Sequence, residues 1–218
     1  MRVFIVLAHP EHQSFNGAMF RTAVDTMSAD GHEVRTSDLH AMQFDPVSSR
    51  HNFITVKDSV YFKPQIEELY ASENYGFAEE IEREIQKIEW CDLMIWQFPL
   101  WWFGLPGMLK GWVDRVFAMG RTYGGSRLYA NGAFNGKRAM LSMTTGGPAA
   151  AYEKGDINAI LRPVHRGILQ FTGFEVLAPQ IVYGPVRVEQ EQRAQLLAAY
   201  ADRLKGIGSE QPFDVGLY

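Results

Sequence analysis

Residues 93–112 of the chain read LMIWQFPLWWFGLPGMLKGW. The first four residues form an apolar run typical of a buried strand in a parallel sheet, and a loop rich in Pro, Gly and large rings follows at once. Loops normally lie at the surface, where apolar rings are unfavourable. Rings at the carboxyl end of a sheet strand therefore predict one wall of a pocket for a flat apolar ligand, with a core plug or a subunit contact as the alternative.

The rest of the chain alternates between strand and helix patterns. Strand patterns occur at 3–7, 33–36, 93–98, 137–143 and 174–183, of which the second is more polar and the last is interrupted at Pro179. Helical periods occur at 16–29, 79–90, 106–117, 157–171 and 188–204. This alternation predicts an α/β fold, a doubly wound parallel sheet of five strands with helices on both faces, built as a single domain from residues 1–218.

Two stretches are less regular. Residues 39–76 show few clear periods apart from a short helical pattern at 64–70, which is typical of a functional segment or an interface. The glutamate-rich run at 79–84 is predicted to be the solvated face of a helix.

Composition excludes several classes of partner. The formal net charge is −4 and no Lys/Arg run occurs, so nucleic acid is not expected as a partner. No apolar run is long enough for an integral membrane segment.

The apolar start of the chain runs into His9 without a cleavage site, so it is interpreted as a strand and not a signal peptide. With Cys91 as the single cysteine, no internal disulfide forms, and a cytoplasmic location is expected.

Three strand-to-helix loops, at 9–16, 99–104 and 144–152, should meet at the carboxyl edge of the sheet. The first places Ser14 and Asn16 ahead of a helix, where N–H groups and polar side chains suit a phosphate, although Ser14 also fits an ordinary N-cap. The third carries Thr144-Thr145-Gly146-Gly147, which lets backbone N–H groups approach a ligand, or forms only a tight turn.

Neither common nucleotide fingerprint is present. The chain has no G-x-G-x-x-G in its first loop and no G-x-x-x-x-G-K-[ST], which disfavours a Rossmann dinucleotide site and a P-loop. A hydrolase elbow is absent, and the six histidines show no metal-ligand spacing, although His9 and His12 are three apart, so no metal site is predicted. A phosphate-bearing flat aromatic ligand, a flavin, remains the best fit.

Ordered motifs extend this interpretation over nearly the whole chain. They are Leu7-Ala8-His9, Ser14-Phe15-Asn16, Ser37-Asp38-Leu39, Gln97-Phe98-Pro99-Leu100, Trp102-Phe103-Gly104, Leu109-Lys110-Gly111-Trp112, Thr144-Thr145-Gly146-Gly147, Gly173-Phe174 and Pro179-Gln180. With them the chain resembles the NAD(P)H:quinone oxidoreductases of the DT-diaphorase type, in the flavodoxin-like superfamily. The resemblance implies a flavodoxin-like sheet with strand order 2-1-3-4-5.

The resemblance also implies an activity and its residues. It implies an FAD-dependent homodimer, with FMN less expected, that reduces quinones by two electrons from NAD(P)H through ping-pong hydride transfer. The implied cofactor contacts are His9, Ser14, Phe15 and Asn16 at the pyrophosphate and adenosine, Pro99, Leu100, Trp101, Trp102 and Phe103 at the isoalloxazine, Thr144, Thr145, Gly146 and Gly147 at the pyrimidine edge, and Arg193 near the adenine. The implied substrate pocket is formed by Trp102 and Phe103, with Tyr123 and Phe171 contributed by the second subunit.

The catalytic group departs from the family pattern. Animal members carry a histidine six residues beyond the tyrosine that aligns with Tyr152, and this chain has a shorter segment without one. Gly125 replaces a second pocket tyrosine, which should widen the mouth. The N–H groups of Gly146 and Gly147, with the Tyr152 hydroxyl, are then expected to stabilise negative charge on the reduced flavin. Alternative functions are a flavin-bearing ancillary or regulatory subunit of a potassium-efflux system, and an azo or nitroaromatic reductase.

Overall fold

A computed structural model of the chain describes residues 1–152 and 157–217. Its strands are β1 (Arg2–Leu7), β2 (Glu33–Asp38), β3 (Leu93–Pro99), β4 (Arg138–Thr145), β5 (Glu175–Val176) and β6 (Gln180–Tyr183). They form a parallel sheet in the order β2-β1-β3-β4-β5, with β6 also paired to β4. The predicted fold is therefore confirmed, including the polar strand at the edge. The predicted last strand is two short strands beside β4, divided around Pro179 because proline cannot donate to a ladder.

Helices cover both faces of this sheet. They are α1 (Phe15–Ala29), α2 (Pro64–Asn74), α3 (Glu79–Trp90), α4 (Gly107–Val116), α5 (Ile157–Val164) and α6 (Gln190–Gly206). Successive residues of a strand point to opposite faces, so Phe4 joins one hydrophobic cluster and Ile5 the other. The Phe4 cluster packs under α3, α4 and α5, whereas the Ile5 cluster packs under α1 and α6. None of the helices in the described ranges is both long and apolar enough to cross a membrane.

The helix predicted at 157–171 is two segments. α5 ends at Val164, and a π-helical segment, His165–Gln170, follows. Pro163 lies inside α5, where it has no N–H to donate and its ring crowds the preceding turn. The wider turn of the π-helical segment accommodates this break in the hydrogen-bond pattern.

The prediction of a solvated face at 79–84 is wrong for Glu84, which is buried. The 3.6-residue period places Glu84 on the same face of α3 as Ile81 and Ile85. Its carboxylate accepts hydrogen bonds from Ser37 Oγ at 2.6 Å and Trp112 Nε1 at 2.9 Å, and it pairs with Lys87 Nζ at 2.7 Å. Ser37 and Trp112 come from β2 and α4, so these two contacts could not be inferred from the local pattern, whereas Lys87 lies three residues along the same helix.

A buried arginine fixes the irregular segment 39–76 against the sheet domain. Arg115, on α4, is 1% exposed. Its guanidinium donates to Asn52 Oδ1 at 2.7 Å and to the Asp45 carbonyl at 2.6 Å, and it pairs with Glu80. Because a buried guanidinium is costly unless all its donors are satisfied, these contacts hold the segment in one position. α2 lies beside the loop that follows α4, where the Ser72 hydroxyl donates to the Met119 carbonyl at 2.9 Å.

Candidate active site

A cavity of about 1030 Å³ lies at the carboxyl ends of β1, β3 and β4. The three predicted loops meet there, as expected for an open parallel sheet. The lining includes every residue assigned above to the cofactor: His9, Ser14, Phe15, Asn16, Pro99, Leu100, Trp101, Trp102, Phe103, Thr144, Thr145, Gly146, Gly147, Tyr152 and Arg193. It also includes residues that the sequence did not single out, among them Gln13, Pro185, Val186 and Gln190.

The first loop presents the N-terminus of α1 to this cavity. Ser14 is the N-cap, and its Oγ accepts the N–H of Gly17 at 3.1 Å. The N–H groups of Phe15 and Asn16 donate to no other described residue. Free N–H groups at a helix start are a site for an anion such as a phosphate. A Cβ at Gly17 would lie 2.0 Å from the His12 carbonyl oxygen, so only glycine lets the loop cross the helix this closely.

The second loop holds its rings in a strained backbone. Trp102 and Phe103 have φ of +50° and +57°, in the left-handed region that large residues rarely adopt. The N–H of Gly104 donates to the Trp101 carbonyl at 3.0 Å and closes the turn. Trp102 is 98% exposed, although its side chain is large and apolar. Strain combined with exposed rings at a cavity mouth is typical of a ligand-binding loop.

The third loop offers backbone donors beside a phenol. The N–H groups of Gly146 and Gly147 donate to no described residue. The Thr145 hydroxyl donates to the Gly147 carbonyl at 2.7 Å and fixes the turn. A Cβ at Gly147 would lie 3.7 Å from the Tyr152 hydroxyl, so that hydroxyl lies over the glycine turn. The Tyr152 ring rests against Tyr183, 5.6 Å between centroids.

A buried polar chain supports the floor of the cavity. Asn16 Nδ2 donates to Thr144 Oγ1 at 2.8 Å, and Gln97 Nε2 donates to Asn16 Oδ1 at 2.8 Å. All three side chains are buried. Gln97 was quoted above only as part of a motif, and its one signal was a polar residue within an apolar strand. Its contact with Asn16 orients the amide that holds the Thr144 hydroxyl.

The histidine of the first loop is partly buried. Partial burial lowers the pKa of His9. Its Nδ1 lies 3.0 Å from the Glu11 N and 3.1 Å from the Glu11 carbonyl oxygen, so the ring is held against the Glu11 backbone. His12 is 3.3 Å from Asp38. In the described part of the chain no group of three His, Cys, Asp or Glu side chains is arranged to hold a metal ion.

The two remaining pocket residues lie elsewhere. Tyr123 and Phe171 do not line the cavity of their own chain. They do contact each other, with ring centroids 5.8 Å apart, and Tyr129 packs edge-on to Phe171 at 5.5 Å. The structure therefore brings these rings together as a separate aromatic group. Residues 153–156, the segment that stands where the family has its histidine, lie outside the described residues.

Comparison with known proteins identifies the family. The flavodoxin-like fold model matches residues 1–205. NAD(P)H dehydrogenase [quinone] 1 of Cavia porcellus is 43% identical over 216 residues, covering 97% of this chain and 78% of its own. The chain belongs to the NAD(P)H dehydrogenase (quinone) family. It is thus an oxidoreductase on the flavodoxin-like fold.

Two further relatives in this family cover most of their own length. Ribosyldihydronicotinamide dehydrogenase [quinone] of Rattus norvegicus is 41% identical, and the alignment spans 97% of this chain and 94% of that one. A solved structure of a Klebsiella pneumoniae protein assigned as a quinone reductase superposes with a TM-score of 0.93 at 37% identity, covering 97% and 86%. The family likeness therefore includes all three loops that line the cavity.

Proposed function

We propose that this oxidoreductase is an FAD-dependent enzyme that takes two electrons from NAD(P)H and reduces quinones. The observation that carries the proposal is the cavity in which a helix N-terminus, a strained ring-bearing loop and the free N–H groups of Gly146 and Gly147 face one another. The named activities of the relatives at 43% and 41% identity support it.

The lining fits a flavin dinucleotide. The N–H groups at the start of α1, with Ser14, suit a pyrophosphate, and the rings of Trp102 and Phe103 suit a flat ring system. Arg193, Gln190 and Val186 extend the lining onto α6 and the segment before it, which is more surface than a mononucleotide requires. The volume of about 1030 Å³ is at the upper end of ligand pockets, which span roughly 300–1,000 Å³. These contacts favour FAD over FMN.

The flavin, when bound, supplies the hydride chemistry, and the chain supplies position and electrostatics. Thr144, Thr145, Gly146 and Gly147 would hold the pyrimidine edge. The two glycine N–H groups and the Tyr152 hydroxyl are donors that oppose negative charge there, and they need no reorganisation because the turn is already fixed. NAD(P)H and the quinone use the same ring-lined face in turn, so the expected kinetics are ping-pong.

The enzyme is further proposed to be a homodimer. Tyr123 and Phe171 do not reach the cavity of their own chain, so we infer that they complete the cavity of the other subunit. Trp102, Val60 and Tyr75 are 98%, 93% and 91% exposed, more apolar surface than a monomer usually leaves in water.

The mass of the flavin released from purified protein tests the cofactor assignment, and initial rates with NADH or NADPH and a soluble benzoquinone test the activity. We expect FAD and parallel double-reciprocal plots. Arg193→Gln should weaken FAD binding about tenfold with little effect on FMN, whereas Lys205→Gln removes a charge from an exposed position of the same helix and should change neither. Release of FMN, or no flavin at saturation, would refute the adenine-side contacts.

A further inference from the structure

Glu68, on α2, is a buried carboxyl group beside Tyr123. Glu68 is 7% exposed, and its Oε2 accepts the N–H of Met119 at 2.7 Å. The same oxygen lies 3.5 Å from the Tyr123 hydroxyl. Gln65, one turn earlier on α2, donates from Nε2 to that hydroxyl at 3.3 Å. The phenol oxygen thus faces an amide donor and a carboxyl group.

No cation neutralises Glu68 in the parts of the chain that the structure describes. The charged side chains of the adjoining segments are engaged elsewhere: Arg50 with Glu67 at 3.7 Å, Lys57 over the ring of Tyr70, and Arg121 with Glu82 and Glu89. Burial therefore raises the pKa of Glu68, and the hydrogen bonds from Met119 and Tyr123 offset only part of the effect. A proton is retained on this carboxyl group at a higher pH than on an exposed glutamate.

We propose that Glu68 is the proton source behind Tyr123, and that Tyr123 passes this proton to a quinone bound in the cavity of the partner subunit. The inference rests on the proposed function, because it requires a quinone beside Tyr123. It gives the enzyme a proton relay that does not use the histidine missing after Tyr152. Glu68 acts through Tyr123 and is a positioning and relay residue, not one that contacts the substrate.

The protonation state of Glu68 decides what Tyr123 can donate. An ionised carboxylate only accepts, so it takes the phenolic hydrogen for itself. A neutral carboxyl group donates to the phenol oxygen instead, which leaves the phenolic O–H free for a ligand. The 3.5 Å separation is long for this bond, and catalytic hydrogen bonds commonly tighten only when substrate is bound.

The transfer balances with the proposed reaction. A quinone that accepts a hydride becomes a hydroquinone anion and needs one proton to leave as the neutral hydroquinone. The Tyr123 O–H bond breaks as the hydroquinone O–H bond forms, and the Glu68 O–H bond then breaks and restores the phenol. Solvent returns a proton to Glu68. The electrons come from NAD(P)H through the flavin, so no other reductant is involved.

Stopped-flow reoxidation of the NAD(P)H-reduced enzyme tests the relay with two acceptors, a benzoquinone and ferricyanide, which takes one electron and no proton. Glu68→Gln keeps an acceptor for the Met119 N–H but has no proton to release. We expect the quinone rate to fall about 10²-fold, the lower end of general acid contributions, and to lose its pH dependence, with the ferricyanide rate unchanged. Tyr123→Phe should give the same loss, and the double variant no more than either alone.

Glu67→Gln is the matched control, since Glu67 is a buried neighbour on the same helix whose carboxylate accepts the N–H groups of Lys57 and Asp58. It should leave both rates unchanged.

Infrared spectra of the flavin-free protein give a readout apart from activity. A band of an un-ionised carboxyl group should titrate above the usual range for glutamate and disappear in Glu68→Gln.

The outcomes separate the two proposals. A wild-type enzyme that reduces no quinone overturns the proposed function and the relay together. A wild type that reduces quinones, with an unchanged rate and pH profile in Glu68→Gln, overturns the relay alone. An equal loss of rate with ferricyanide, or an infrared band that persists in Glu68→Gln, also overturns it.

Discussion

Trp102 carries the clearest conflict between a residue and its backbone. Its left-handed φ costs about 1–2 kcal/mol for a residue with a Cβ, and its side chain has almost no contact within the chain. Strained residues cluster at functional sites, so an exposed ring on a strained backbone indicates a contact with a ligand or another subunit. We infer that Trp102 contacts the flavin and the other subunit.

Replacement of Trp102 should therefore distinguish the effect of its backbone strain on stability from the effect of its ring on flavin binding. Trp102→Gly should raise the unfolding free energy of the flavin-free protein by about 1 kcal/mol, because glycine adopts this φ freely, while weakening flavin binding. Trp102→Ala is the matched control, since it removes the same ring but keeps a Cβ and the strain. Urea unfolding and flavin titration measure the two effects. Equal stability of the two variants would contradict the strain argument.

Tyr152 is expected to contribute modestly to flavin reduction. The N–H groups of Gly146 and Gly147 remain when its hydroxyl is removed, so Tyr152→Phe should slow reduction by NAD(P)H on the order of tenfold, about 1.4 kcal/mol, with little change in FAD affinity. Tyr183→Phe alters the neighbouring ring and should have no such effect. Stopped-flow absorbance measures the rate. An unchanged rate would mean that Tyr152 only packs, and a thousandfold loss would reveal a strong partner for its hydroxyl.

The sequence could locate the lining residues but not the polar partners behind them. Strand-end loops are local in sequence, so the positions of Ser14, Trp102 and Gly146 follow from the order of strands and helices. Gln97 and Asn16 meet across two elements, and Glu68 meets Tyr123 through an irregular segment. Such contacts depend on tertiary packing, which no periodic pattern encodes.

At the scale of elements, the break after α5 buries a titratable side chain. His165 opens the π-helical segment and is fully buried, and neither ring nitrogen has a hydrogen-bond partner in the described structure. Its ring packs against Phe213 at 6.2 Å between centroids. The sequence predicted a helix at 157–171, but the change of helix type after Pro163 could not be predicted, because proline is compatible both with a kink and with a late helix start.

His165 should make the protein sensitive to acid. Burial lowers its pKa to about 4, whereas an unfolded histidine titrates near 6.5. Between these two values the unfolded state binds a proton that the folded state does not bind. The free energy of unfolding therefore decreases as the pH falls from about 6.5 to about 4, by on the order of 3 kcal/mol. In His165→Leu the loss of melting temperature between pH 7 and pH 4.5 should be smaller than in the wild type. An identical loss would contradict the assignment.

At the scale of the whole molecule, the exposed apolar side chains have a pattern. The two hydrophobic clusters fill both faces of one sheet, and we expect residues 1–218 to unfold as a single domain. Large apolar side chains nevertheless remain on the surface within residues 54–75: Ile54, Val56, Val60, Tyr61, Ile66 and Tyr75. The sequence predicted this segment only as functional or interfacial, and the signal was its lack of a clear period.

A two-fold homodimer explains these exposed side chains together with the position of Tyr123 and Phe171 outside their own cavity. A standard interface removes about 800 Å² per subunit from water, and like charges at its centre are strongly unfavourable. The double variant Val60→Asp, Tyr75→Asp should therefore shift light-scattering mass toward the monomer at micromolar concentration. Because the proposed relay uses the partner subunit's Tyr123, the rate of quinone reduction per flavin should fall with dissociation. Leu217→Asp, an exposed apolar residue near the chain end, should leave both unchanged. A wild-type monomer with full activity would contradict the dimer.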